Sequence, residues 1–463
     1  MINKSTPSAN HQISSIEVTN DLLVDRGGLA PLMRFVKGLA IVPVLAGPLQ
    51  KFRQGGKGAS VPSLLTQLIA FFCDGSSRHL TYFDHLKKDA AYAGLLETKQ
   101  DALISSHQIK RFFSKLPPIL SSQFRGALRE MFAARLRQEK PQRVEIFLDT
   151  MVLDNDDALK RQGVEPTYKK VKGFQPLQLI WNGLIIDAQF RGGKKNGNHG
   201  LTAFHMIDKA AKVIRKTLGY DVQIIVRMDG GFFDGDLFWR LDATNIGFVC
   251  TARQSKAIKA AANDQATWRR MDGGKQSWHF TEFAFRCLRW KRFYRTIYLK
   301  PVYDDDQMIL EFARPESVII TNIGTDHFRH CRVEEAGDDL SLAETLIREH
   351  HAKGADELTH RALKDFGFQQ MPFKKFGANT AFYYMMVIAH NLMTWYTRDV
   401  LSPCGLVGKR SYATTVRRVA IDFAAKIVRT GRQTVLKVTA SCLSRLNLHR
   451  VWEMVNEVRP LRI

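Results

Sequence analysis

The run Val144-Glu145-Ile146-Phe147-Leu148-Asp149 places apolar residues at every second position and ends on an acid. Just upstream, about Ser122 to Gln138, the apolar residues recur at helical spacing, so the period drops from 3.6 to 2 and a strand is expected here. A second run, Val222-Gln223-Ile224-Ile225-Val226-Arg227-Met228, also stops at an acid, Asp229-Gly230-Gly231. Between the two lie apolar strands at Leu177 to Trp181 and Leu184 to Phe190 and a helical stretch at Leu201 to Thr217; a helix at Gly235 to Ala243 and a strand at Ile246 to Thr251 follow. Hairpin strands followed by strand and helix alternation predict an α/β fold, a mixed sheet flanked by helices. Acids at the carboxyl ends of strands sit on the edge where such sheets bind ligands. If the two strands are neighbours, Asp149 and Asp229 lie side by side. Two unit charges about 4 Å apart repel by about 4 kcal/mol at an effective dielectric near 20, so the pair must raise a pKa or gather a divalent cation. An all-oxygen donor set suits magnesium or manganese.

Charge points to the partner. The 463 residues carry 68 Lys and Arg against 45 Asp and Glu, a net +23, which draws a polyanion such as nucleic acid. A hydrophobic fraction of 45% with 24% charged residues is that of a folded globular chain. The longest apolar stretches, Leu39 to Gly47 and Leu64 to Cys73, are about ten residues each, half of what a bilayer demands, so no membrane partner is expected. The first 25 residues hold no apolar secretion segment, and the chain is expected in the cytoplasm, with the nucleoid. The 6 cysteines form no CxxC pair. Gly55-Gly56-Lys57 and Gly192-Gly193-Lys194 lack the spacing of a phosphate-binding loop, and no GxSxG elbow is present. Asp154-Asn155-Asp156-Asp157 lacks the glycine a calcium loop requires and reads as a polar turn. His327, His330 and Cys331 have metal-compatible spacing without a fourth ligand nearby.

The chain divides by pattern into a flexible start at 1–28, a helical domain at 29–140, an α/β domain at 141–400 and a basic helical region at 401–463. Within the helical domain a short helix, His107 to Lys115, exposes His107, Lys110, Arg111 and Lys115; this suits a DNA-reading element, and equally a solvated bundle face. Residues 252–316 interrupt the α/β rhythm with an aromatic, alternating stretch that includes Trp278 and Trp290, expected to be a β-rich insertion. These two rings either pack in that insertion or stack on an unpaired base. The last region holds 12 Lys and Arg against 3 acids, a phosphate-contacting surface.

The remaining candidate is His350-His351-Ala352-Lys353-Gly354-Ala355-Asp356-Glu357-Leu358-Thr359-His360-Arg361-Ala362-Leu363-Lys364. Taken as one helix, His350, Lys353, Glu357 and Lys364 fall within an arc of about 60°, opposite a core face of Ala355, Leu358, Ala362 and Phe366. One acid between cations is what a metal-dependent phosphodiester site wants. An amphipathic helix with surface ion pairs has the same pattern, and Gly354 is a competing helix start that would leave His350 outside.

Leu148-Asp149-Thr150, Tyr168-Lys169-Lys170 through Gly173-Phe174-Gln175-Pro176-Leu177, Arg227-Met228-Asp229-Gly230-Gly231-Phe232 and the His350 to Lys364 segment together resemble the DDE transposases of bacterial insertion sequences. The likeness is to the branch with a Tyr-Arg-Glu-Lys signature and a β-strand insertion, and it spans about residues 140 to 400. It implies an RNase H-like core interrupted after its fifth strand, and a catalytic, metal-binding triad of Asp149, Asp229 and Glu357 holding two magnesium or manganese ions. It implies cleavage at transposon ends and strand transfer into target DNA by a homodimer bound to terminal inverted repeats. His350 stands where the family has Tyr and Lys353 where it has Arg; with Lys364, Arg227, Lys110 and Arg111 they are the expected DNA contacts. A silent DNA-binding regulator and a nonspecific nuclease with the same core are the rival expectations.

Overall fold

The computed structural model describes residues 13, 15–51, 58–195, 197–272, 277–302, 316–324, 341–351, 354–367 and 369–461, with the side chains of 354–357 outside the description. Its centre is a nine-stranded mixed sheet. The strands in chain order are β1 (Arg143–Thr150), β2 (Leu177–Trp181), β3 (Leu184–Gln189), β4 (Gln223–Met228), β5 (Gly247–Thr251), β6 (Arg269–Asp272), β7 (Ser277–Phe285), β8 (Tyr294–Pro301) and β9 (Ser317–Thr321). Across the sheet they run β6-β7-β8-β9-β5-β4-β1-β2-β3. Strands β1, β4 and β5 are parallel, and every other neighbouring pair is antiparallel. The insertion therefore does not stand apart. Its strands extend the same sheet from β5 outward, because β9 returns to pair with β5.

Alternation in β1 sends its side chains to two different cores. Val144, Ile146 and Leu148 are fully buried against Phe132 and Leu136 of helix α1 (Ser121–Glu139) and Met206 and Ile207 of helix α2 (Thr202–Leu218). Phe147 faces the other way, into a core built around helix α3 (Phe376–Tyr396), whose side chains are buried along nearly its whole length. Helix α3 is also hydrogen-bonded to the sheet: the Gln178 amide donates to the Tyr383 hydroxyl at 2.7 Å, Tyr384 donates to the Ala188 carbonyl at 2.8 Å, and the Asn391 side chain pairs with both backbone groups of Ile185. On that same face a third cluster joins Ile225, Val249 and Ile319 to Leu346 and Ile347 of the helix Ala343–His351.

Four expectations need correction. Residues 22–28, read as part of a flexible start, are held in place: Leu22–Val24 pairs with a hairpin, Ala425–Thr430 and Gln433–Lys437, and Arg26 meets Asp74 at 3.0 Å. That hairpin also means the region after 401 is not helical throughout. Ile427, Val435 and Leu436 carry a strand pattern there beneath many cations. The helices of residues 29–140 share one core with α3 and the C-terminal region, through rings such as Phe72 and Phe382 at 5.2 Å. Finally, His350 and Glu357 lie on two helices, Ala343–His351 and Gly354–Lys364, so Gly354 does begin a new one. Among the described residues no single helix is long and apolar enough to cross a membrane.

Candidate active site

Parallel pairing places the two strand-end acids together. Phe147 lies opposite Arg227 and Leu148 opposite Met228, so Asp149 and Asp229 each follow the last register pair of two adjacent parallel strands, which run about 4.8 Å apart. Leu148 and Met228 are fully buried on the opposite face, which fixes the side to which both acids turn. The acids are also held locally. Asp149 Oδ1 accepts from the Thr150 amide at 2.6 Å, and Asp229 Oδ1 accepts from the Gly231 amide at 2.9 Å, starting a short turn.

The helix Gly354–Lys364 comes to the same edge. His360 Nδ1 lies 3.7 Å from Asp149 Oδ2, with the two side chains 13% and 16% exposed. Glu357 precedes His360 by three residues on this helix, hence on a neighbouring position of its surface; its side chain lies outside the described residues. Burial, helped by the charges of Lys364 and Lys169, pushes the His360 ring down to about 4. Lys364 is lowered as well, by burial and then by Lys169, and its Nζ donates to Gln369 Oε1 at 3.1 Å. The helix is rotated from the expected setting. Thr359 and Leu363 are buried, whereas Leu358 is 44% exposed and lines a 290 Å³ cavity with Glu145, Arg227 and Glu349.

His350 lies in the last turn of the preceding helix, its Nε2 3.5 Å from the Thr251 hydroxyl at the carboxyl end of β5. That is the same sheet edge, one strand beyond Asp229. Arg227, expected to touch DNA, is instead buried between Glu145 and Glu349 and also donates to the Glu349 carbonyl. Burial alone would push its guanidinium down, but the two carboxylates outweigh it and hold it above its ordinary value. It is a brace that seats the helix carrying His350 on the sheet. Lys353 and the group His327, His330 and Cys331 lie outside the described residues. Among the described residues no three His, Cys, Asp or Glu side chains form a group that could hold a metal ion.

Further out, helix Ser106–Ser114 is capped by Ser105 with Gln108 in a reciprocal box, and it exposes Lys110 and Arg111. The two cations line a 530 Å³ groove with His79, His107 and Phe373. Phe373 belongs to the connection that begins beside Lys364, so groove and acid edge share one segment. The aromatics of the insertion pack: Trp290 sits among Phe233, Phe238 and Tyr294 at 5.0 to 5.9 Å, and Trp278 meets His351 edge-on at 4.5 Å.

Sequence reading missed Glu145, Glu349 and His360. The first two carry no signal without the β1–β4 register. His360 did carry one: it lies about 60° from Glu357 around the helix.

The family model described as "Transposase DDE domain group 1" matches residues 11–460. No curated protein matches the sequence. Among solved structures, a cryo-EM piggyBac transposase synaptic complex with hairpin DNA is similar at 11% identity and a TM-score of 0.40, over 95% of this chain and 86% of that one.

Proposed function

Because the chain belongs to the transposase DDE domain group 1 family, we propose that it cuts DNA at the ends of a mobile element and joins the freed ends to target DNA. The observation that carries this is the approach of His360 to Asp149, which brings the helix of Glu357 to the edge shared by Asp149 and Asp229. The strand order β3-β2-β1-β4-β5, with only β1, β4 and β5 parallel, supports an RNase H-like core whose insertion follows the fifth strand.

Asp149, Asp229 and Glu357 would hold magnesium or manganese, two ions in this reading. When bound, such ions activate water and stabilise the leaving 3′ oxygen of an in-line displacement. The donor chemistry fits such ions: Asp149 and Asp229, at the ends of adjacent parallel strands, offer hard carboxylate oxygens. The protein supplies the rest. Asp149 and Asp229 are fixed by their own backbone contacts, so their carboxylates need no reorganisation. Lys364, Lys169 and Lys353 neutralise phosphates near the cut, and Arg227 holds the helix of His350 in register. No Ser or Tyr nucleophile is needed, since both steps displace one oxygen by another. Lys110 and Arg111 extend the basic path away from the cut, and joining two ends implies a dimer assembled on DNA.

The test is incubation with magnesium and DNA bearing the element's terminal repeats. Discrete cuts at the repeat ends, followed by joined products, are expected. Binding without cutting would indicate a silent regulator, and cuts without regard to sequence a nonspecific nuclease. In the same assay Lys110→Ala and Arg111→Ala should each weaken binding and lower the salt slope of log affinity by about 1. An unchanged slope would remove the groove from the DNA path.

A further inference from the structure

The small sheet that ties the start of the chain to its C-terminal region leaves one edge open. Across it the order is Leu22–Val24, Ala425–Thr430, Gln433–Lys437, so the last strand has a neighbour on one side only. Beside that edge opens a cleft of 920 Å³ with apolar walls that include Leu95, Phe423, Ile427, Leu436, Leu443 and Trp452. Trp452 is 41% exposed there, with the Arg34 guanidinium 5.5 Å from the centre of its ring. An open strand edge next to an apolar cleft is a template for one more strand.

The chain itself carries a segment of matching chemistry. Residues 13–21 hold three large apolar side chains, Ile13, Ile16 and Val18, and two acids, Glu17 and Asp21, without a cation. The three apolar side chains are 90, 98 and 97% exposed. In its own copy this arm does not enter the cleft. Leu22–Val24 runs antiparallel to Ala425–Thr430, so the chain before Leu22 heads toward the turn at Gly431 and Arg432 and leaves the sheet at that end. Asp21 is held by Lys426 at 2.7 Å, and the apolar residues beyond it meet solvent.

We propose that the arm of one copy adds as a fourth strand beside Gln433–Lys437 of a second copy, and that the exchange is mutual in a twofold dimer. Ile16 and Val18 share one side of an extended chain, and Glu17 takes the other. With Ile16 and Val18 in the cleft beside Leu436, Glu17 falls on the opposite face of the small sheet, which is the face of Lys437. Lys437 is exposed. A lysine on an open edge discourages indiscriminate pairing and favours a strand that brings an acid. The contact needs no DNA and does not rest on the reaction proposed above.

Sedimentation velocity on the full chain without DNA is the experiment. A dimer whose population rises with protein concentration is expected. Ile16→Ser combined with Val18→Ser should weaken it at least about a hundredfold. Glu17→Lys and Lys437→Glu each set like charges together and should each weaken it about tenfold. Mixing the last two variants decides where the arm goes. In the mixed dimer every arm meets an edge of opposite charge, so the equimolar mixture should dimerise as tightly as the unaltered chain. A chain that stays monomeric at every concentration would overturn the proposal, whether its arm stays free or folds onto its own cleft. So would a dimer indifferent to these variants, or a mixture no tighter than its components. Positions 16, 17, 18 and 437 are exposed, so the fold should survive, which circular dichroism verifies. Should Lys437→Glu fail to fold, Lys437→Asp takes its place with the same expected outcomes.

Discussion

Asp149→Asn, Asp229→Asn and Glu357→Gln are each expected to lower strand cleavage by at least about a thousandfold while leaving DNA affinity within about twofold. Each exchange keeps the shape of the side chain and removes its charge, so packing is preserved and the pull on a divalent ion is lost. Affinity is spared because it comes from a broad basic surface, part of a net charge of +23, rather than from three acids. Cleavage rates by gel electrophoresis and affinities by fluorescence anisotropy separate the two effects. Retained cutting in any one variant would remove that residue from the triad. A loss of both cutting and binding would point to misfolding, which the circular dichroism of the variant then identifies.

The second large effect concerns the fold that carries the edge. Asp187→Ala should destabilise the protein by about 3 to 5 kcal/mol. Asp187 lies on β3 with a side chain only 1% exposed and receives two hydrogen bonds of 2.7 Å from Arg125 of α1, with Arg129 at 3.6 Å. Burial pulls the Arg125 guanidinium down, and Asp187 more than restores it. Removing the acid strands a cation under the sheet, which costs far more than a surface pair would. Urea denaturation followed by tryptophan fluorescence gives the value. A loss below about 1 kcal/mol would show that water reaches Arg125, and that β3 does not depend on this clamp.

How much of this was written in the sequence depends on the range of the interaction. The alternation of Val144, Ile146 and Leu148 is local, and β1 and its terminal acid follow from it directly. The aromatic break near residue 252 is also local, and strands lie there, but that they prolong the main sheet depends on β9 pairing with β5. The hairpin at Ala425–Thr430 and Gln433–Lys437 was hidden because Lys426, Arg429, Arg432 and Lys437 overlay its apolar positions with a charge pattern that reads as surface helix. The helix angle drawn from His350 to Lys364 assumed one axis. The chain starts a second helix at Gly354, and that rotation exposes Leu358 and turns His360 inward. Arg227 could not be assigned from its neighbours in sequence, because Glu145 and Glu349 are remote along the chain and meet it only once β1, β4 and the helix Ala343–His351 are assembled.

Anomalous X-ray scattering from manganese in crystals of the protein bound to its terminal-repeat DNA is the most direct check. A manganese peak is expected about 2.1 to 2.2 Å from carboxylate oxygens of Asp149, Asp229 and Glu357 together. A peak elsewhere, or a Glu357 carboxylate turned away from the two strand-end acids in the DNA-bound state, would contradict it.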